Sequence, residues 1–176
     1  MTKAEIISRL QEKHQQFTAY IVSLSDADFM YSLHGEKWTA GQQMDHIRLS
    51  VSPLGMAFGL PKFIPRLLFG KAKRPSENYD TVVAKYRHAL ANGGIAVKGY
   101  APKTIPLAEK AALKTQTDQT LTHVLRRLEK YSEQDLDTLR LPHPLLGKLT
   151  LREMLYFTLY HVQHHHAVTR RHLESA

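Results

Sequence analysis

Apolar residues recur at helical spacing in four stretches of the chain. In the first, Ile6, Ile7, Leu10, Phe17, Ile21 and Leu24 predict an amphipathic helix over residues 2–24. Thr2 followed three residues on by Glu5 has the spacing of a capping box, in which each side chain satisfies an otherwise unpaired backbone N–H. A connection over 25–38 follows, with Ser25-Asp26 opening a short turn. Thr39 then caps a second helix that begins Ala40-Gly41-Gln42-Gln43 and carries Met44, Ile47, Val51 and Leu54 on one stripe. Pro53 is placed to kink or end it, because proline lacks an N–H and clashes with the preceding turn. The third stretch, residues 116–131, aligns Leu121, Val124, Leu125 and Leu128, with Thr117 or Asp118 as its cap. The fourth opens at Thr150, again with a glutamate (Glu153) three residues later, and runs to about Leu173.

Between the second and third helices the pattern changes. Residues 55–75 are rich in glycine, proline and aromatics, and apolar enough to pack on the body or to serve as a lid or interface. Residues 76–91 regain helical content (Tyr79, Val82, Val83, Tyr86, Leu90) and Asn92-Gly93-Gly94 stops them. Residues 95–106 read as irregular, and a connection this long between helices is often functional. The stretch from Leu141 to Gly147 reads as a turn-rich loop. With four principal helices and no alternating strand pattern, the predicted architecture is all-α, a four-helix bundle.

The chain has 176 residues, which suits one domain over 1–176. At 43% hydrophobic and 23% charged residues it is expected to fold rather than remain disordered. It has no cysteine, which excludes a disulfide scaffold, a thiolate metal site and a cysteine nucleophile. No apolar run approaches the ~20 residues that span a bilayer, and the charged N-terminus lacks a signal-peptide core, so a soluble cytoplasmic protein is expected. The formal charge is +8. Its densest patches, Lys71-Ala72-Lys73-Arg74, Arg126-Arg127 and Arg170-Arg171, are short and do not interleave with aromatics as a base-stacking surface does. They read as solvated helix faces, and neither a specific nucleic acid nor a membrane is expected as partner.

Histidine is the compositional outlier: there are 11, and five fall between His161 and His172. On the last helix, Arg152, Gln163 and Arg170 point to one side, read as the solvent face, while His161 and His165, four residues apart, stack on the opposite, apolar side with Met154, Thr158 and Val168. Burying two imidazoles is costly unless both are satisfied, and a metal ion satisfies both at once. A third ligand must come from another helix. His46 is the candidate, since Arg48 projects almost the opposite way. The bland alternative is a surface cluster at a helix C-terminus, where cationic histidine is favoured. Position 162 is valine, so the glutamate of a His-Glu-x-x-His zinc peptidase is missing. His164 and His166 flank the proposed face. His172 lies near a frayed end, and His14, His34, His88 and His123 read as surface or satisfied core residues. His143, between two prolines, stands where it could approach the site. Gln42, Gln43, Asp45 and Ser50 are candidates to hydrogen-bond the far ring nitrogens.

The run Glu36-Lys37-Trp38-Thr39 followed by Gln43-Met44-Asp45-His46-Ile47 resembles the second-helix motif of the DinB-like superfamily. His143-Pro144-Leu145-Leu146-Gly147-Lys148-Leu149-Thr150-Leu151-Arg152-Glu153, with Tyr160-His161-Val162-Gln163-His164-His165, resembles its loop and last helix. The resemblance implies an up-down-down-up four-helix bundle holding a divalent metal, zinc or nickel, on three histidines. Carried over residue by residue, these are His46, His161 and His165. It implies a thiol-dependent transferase, with a low-molecular-weight thiol such as bacillithiol or mycothiol, or a metal-dependent hydrolase, and a homodimer. The chain departs from the simplest pattern by an insertion at about 60–110 and by having no evident extra carboxylate near the histidines, so substrate and catalytic residues stay open. Three neutral imidazoles leave a coordination position free, for a water or for a thiolate. The alternative, from a different class, is a non-catalytic helical binding module for an anionic partner.

Overall fold

The computed structural model describes residues 1–175. Its helices are α1 (Lys3–Ser23), α2 (Asp26–Met30), α3 (Ala40–Gly59), α4 (Phe63–Phe69), α5 (Tyr79–Ala91), α6 (Lys110–Leu128), α7 (Glu133–Thr138) and α8 (Leu151–Glu174). Two strands, β1 (Arg140–His143) and β2 (Gly147–Thr150), precede α8. Thr2 and Thr150 each open their helix with a complete capping box, as the spacing predicts, and Thr39, predicted as a cap, forms one with Gln42. Ser25 likewise caps α2, accepting from the Asp28 N–H at 3.1 Å.

The four long helices form the bundle. α1 and α3 each pack against both α6 and α8, so they stand diagonally across it. Between them lie fully buried Ile6, Leu10, Phe17, Met44, Ile47, Leu128 and Val162, the centre of one continuous hydrophobic cluster. The all-α class holds. No helix among the described residues is long and apolar enough to cross a membrane.

Several boundaries differ from the sequence expectation. α3 continues past Pro53 to Gly59, because Leu54 and Phe58 beyond it are buried in the core and outweigh the missing N–H. α6 starts at Lys110, not near 116. Thr117 lies inside the helix, its Oγ1 donating to the Leu113 carbonyl at 2.8 Å, and Asp118 accepts from Thr18 at 3.0 Å instead of capping. The stretch read as a turn-rich loop is an antiparallel hairpin, with Leu141 opposite Leu149 and His143 opposite Gly147. Pro142 obscured the alternation; opposite Lys148, it sits on the outward side while Leu141 and Leu149 are buried.

The solvent face assigned to α8 is also corrected, for only Arg170 of its three markers is exposed. Arg152 pairs with Asp137 at 2.6 Å and Glu133 at 2.7 Å on α7 and donates to the Met1 carbonyl. Gln163 donates to the Tyr79 hydroxyl on α5 at 3.2 Å. α5 and α7 therefore cover α8 on sides that a four-helix bundle leaves open. The chain leading into α5 is tied down by Glu153, which is fully buried. Its carboxylate accepts from Arg74, from the Glu77 N–H at 2.7 Å and from the Thr150 N–H at 2.9 Å. Burial alone raises the pKa of this acid; the Arg74 guanidinium and the two N–H groups outweigh it and hold the carboxyl below its ordinary value.

Candidate metal centre

His46 lies on α3, and His161 and His165 on α8, one turn apart. All three are buried. Their ring nitrogens converge: His46 Nε2 is 3.2 Å and His165 Nε2 is 3.0 Å from His161 Nε2, and one nitrogen of each ring lies within 4.8 Å of the others. Among the described residues this is the group whose donors could hold a metal ion.

The far side of two rings decides what the near side presents. His46 Nδ1 donates to the Tyr100 carbonyl at 2.6 Å, and His165 Nδ1 donates to Gln43 Oε1 at 2.5 Å. Both partners are acceptors, so both protons sit on Nδ1 and both Nε2 atoms offer bare lone pairs to the centre. His161 Nε2 can supply at most one proton to the two lone pairs facing it. Without a cation, at least one pair of nitrogens meets lone pair to lone pair at about 3 Å. With Zn–N bonds of about 2.0–2.1 Å, neighbouring ligand nitrogens stand roughly 3.3 Å apart, close to the spacing found. The donor set therefore fits a divalent ion. Burial lowers the pKa of all three histidines, and for His161 and His165 the neighbouring His46 ring lowers it further, which favours the neutral form that a ligand must have.

Trp38 fixes the triad from outside. Its ring lies 4.9 Å from that of His46 and stacks on His165 at 6.3 Å. Of the residues read as outer partners, only Gln43 serves. Gln42 completes the α3 capping box, Asp45 is bound to Arg48 at 2.7 Å, and Ser50 lines the neighbouring cavity. The Tyr100 carbonyl had no sequence signal, since any residue carries one; the only pointer was the length of the connection holding it.

The triad sits at the wall of a cavity of about 480 Å³. Its sides come from the second half of α3, from α4, from residues 90–100, from the hairpin and from α8. His143 reaches it. The backbone N–H groups of Leu145 and Leu146 both donate to His143 Nδ1 at 3.1 Å, and its ring packs at 4.2 Å on Phe157, which stacks on His161 at 4.8 Å. Burial lowers the His143 pKa to about 4, so it is neutral with its proton on Nε2. His164 also lines the cavity, as does Tyr86 of α5, which the sequence marked only as part of a helix; burial pushes its phenol up to about 12.

The remaining histidines lie elsewhere. His166 packs on Tyr20 at 4.8 Å, His172 is half-buried near the end of α8, and His34 and His88 are exposed or nearly so. His123 is half-buried beside Gly55. His14 departs from the reading of a satisfied core residue: its Nδ1 meets the Leu10 carbonyl at 2.9 Å, but its buried Nε2 has no partner.

Compared with known families, residues 9–168 match the family model described as DinB superfamily. No curated protein matches the chain.

Proposed function

The chain belongs to the DinB superfamily, and from that premise and its three converged imidazoles we propose that it is a metal-dependent enzyme of the thiol-transferase or hydrolase type. The observation that carries this reading is the orientation of His46 and His165, whose Nδ1 protons are engaged and whose Nε2 lone pairs point at His161 beside an open cavity. His46, His161 and His165 would hold the ion, zinc or nickel. Three protein ligands leave a position free, and a bound ion would there supply Lewis-acid activation of a water or stabilisation of a thiolate.

The chain's own residues do the rest. Gln43 and the Tyr100 carbonyl orient the His165 and His46 rings, Trp38 covers the faces of those two, and Phe157 covers that of His161. On this reading the insertion at 60–110 completes the site, since it contributes Tyr86, Tyr100 and much of the cavity wall. A homodimer is part of the proposal. It is supported by Phe63 and Leu67 on α4, which are 66% and 80% exposed and lie four residues apart outside the cavity lining.

The test is a paired assay on zinc- and nickel-loaded protein: consumption of a low-molecular-weight thiol with an electrophilic acceptor, and hydrolysis of aryl esters. Turnover in either, lost on chelation and in His161→Ala, is the expected result. Turnover in neither, or turnover that survives both treatments, contradicts the reading.

A further inference from the structure

The cavity beside the triad is polar at one end only. At the inner end stand His161, His165 and His143. Away from them the walls are Leu54, Leu60, Leu68, Leu90, Ile95 and Val97, and four of these are exposed: Leu60 at 40%, Leu68 at 61%, Ile95 at 76% and Val97 at 42%. Isolated apolar side chains on a surface need no explanation, but a contiguous lining that runs from a polar floor to an exposed rim does. Pockets of roughly 300–1,000 Å³ with apolar walls and a few fixed polar groups are the usual form of small-molecule sites.

We propose that this cavity binds an amphiphile: a molecule with a hydrogen-bond-accepting head at the triad and His143, and a flexible or elongated apolar body along the wall toward Ile95. The head is specified by His143. Because two backbone N–H groups occupy its Nδ1, the neutral ring has only a donor, Nε2–H, left to offer from the cavity wall. That donor is pre-oriented, since ring and turn are locked by the same two hydrogen bonds. It suits a carbonyl, carboxylate or ether oxygen and disfavours an ammonium head. The body is specified by the walls. They carry no carboxylate or cation, so a sugar or a nucleotide placed there leaves its hydroxyl or phosphate oxygens without partners. This substrate class belongs to the site proposed above and rests on that reading for the identity of the head's second contact. The apolar wall and the His143 donor stand without it.

The test uses straight-chain alkanoates, butyrate through decanoate, titrated into full-length protein carrying one added equivalent of zinc. Calorimetry gives affinity, and the fluorescence of Trp38, the single tryptophan and a residue of the cavity wall, reports the place of binding. Each methylene buried against the wall is expected to tighten binding about fourfold, so the four extra methylenes of octanoate should make it bind roughly 250-fold more tightly than butyrate. Ile95→Asp, at an exposed position that tolerates the change, should weaken octanoate at least tenfold and leave butyrate unaltered. His143→Asn keeps an acceptor for the Leu145 and Leu146 N–H groups, but its shorter side chain places no N–H at the position of Nε2. It should weaken all chain lengths by a similar factor, about tenfold, with the chain-length dependence intact.

Octanoate within twofold of butyrate overturns the inference, as does a titration without change in Trp38 emission, which puts the chain elsewhere. Zinc content measured on the same samples after unbound metal is removed by desalting separates the two readings. One zinc per chain with no chain-length dependence leaves the metalloenzyme standing and removes the amphiphile. Chain-length dependence with zinc well below one per chain does the reverse.

Discussion

His46 and Tyr100 are 54 residues apart in the chain, yet the imidazole Nδ1 of one is 2.6 Å from the backbone carbonyl of the other. This contact joins the irregular segment after α5 to the candidate metal centre. It fixes the tautomer that turns the His46 lone pair toward His161. The segment at about 60–110 is thus part of the site rather than a decoration of the bundle.

Gln43 does for His165 what Tyr100 does for His46. Replacing it by leucine, which is similar in size, removes the acceptor and frees the ring to change tautomer or rotate. Outer partners of metal-bound histidine are worth about 10–100-fold in affinity. Gln43→Leu should lower zinc affinity by that factor in a competition titration against a chromophoric chelator, while the helical circular dichroism is unchanged.

His14 makes folding stability pH-dependent. Burial lowers its pKa from 6.5 to about 4, because the charged ring would be held away from water. The unfolded chain therefore binds a proton between those values and the folded chain does not. Stability is full above about pH 6.5 and is lost progressively as pH falls toward 4. A pKa difference of one between the folded and unfolded chain corresponds to about 1.36 kcal/mol, so this one group can remove about 3 kcal/mol. Denaturant midpoints measured from about pH 7.5 to about pH 4.5 should fall steeply in the wild type and less steeply in His14→Leu.

Glu153 joins α8 to the chain entering α5. Glu153→Gln keeps the shape but leaves Arg74 and one of the two backbone donors poorly matched. Hydrogen bonds to a charged group are worth about 1.5–3 kcal/mol, and Arg74 is half exposed, which reduces its share. A loss of about 2 kcal/mol in urea unfolding is expected. The folded-state pKa of Glu153 is depressed, so its contribution is present above the ordinary carboxylate range and fades as pH drops through the folded value. The difference between wild type and Glu153→Gln should accordingly shrink in acid.

The proposed homodimer is tested at α4. Leu67 is 80% exposed and has no core partner to lose. Leu67→Glu should convert a dimer to a monomer in light scattering while the melting temperature of the monomer fold is little changed. A wild-type monomer at high micromolar concentration contradicts the dimer.

Much of the fold was legible in the sequence because it is local. A threonine cap ahead of an apolar-periodic run marks a helix start from nearby residues alone, and it placed α1 and α8, with a glutamate three residues on, and α3. The phase of His161 and His165 needs only the helical period. The resemblance in the stretches around Trp38-Thr39 and His143–His165 joined His46 to that pair, and the fold brings the three together. What the sequence hid depends on distant partners. The Tyr100 carbonyl has no side-chain signature. The environment of Arg152 and Gln163 is set by α7 and α5, so a polar stripe that should face water faces other helices. The hairpin escaped because strands of four residues interrupted by Pro142 carry too little alternation to register. His143 was singled out for its position between prolines, but its orientation follows from the turn at Leu145 and Leu146, which only the hairpin register fixes.

That three imidazoles share one ion is tested most directly by elemental analysis of untagged protein. Purified without added chelator, wild-type protein should carry close to one divalent transition metal per chain. His161→Ala should carry less than about a tenth of that, with its helical content preserved. Wild-type protein that remains metal-free after incubation with excess zinc and nickel, or metal content that is the same in His161→Ala, contradicts the account.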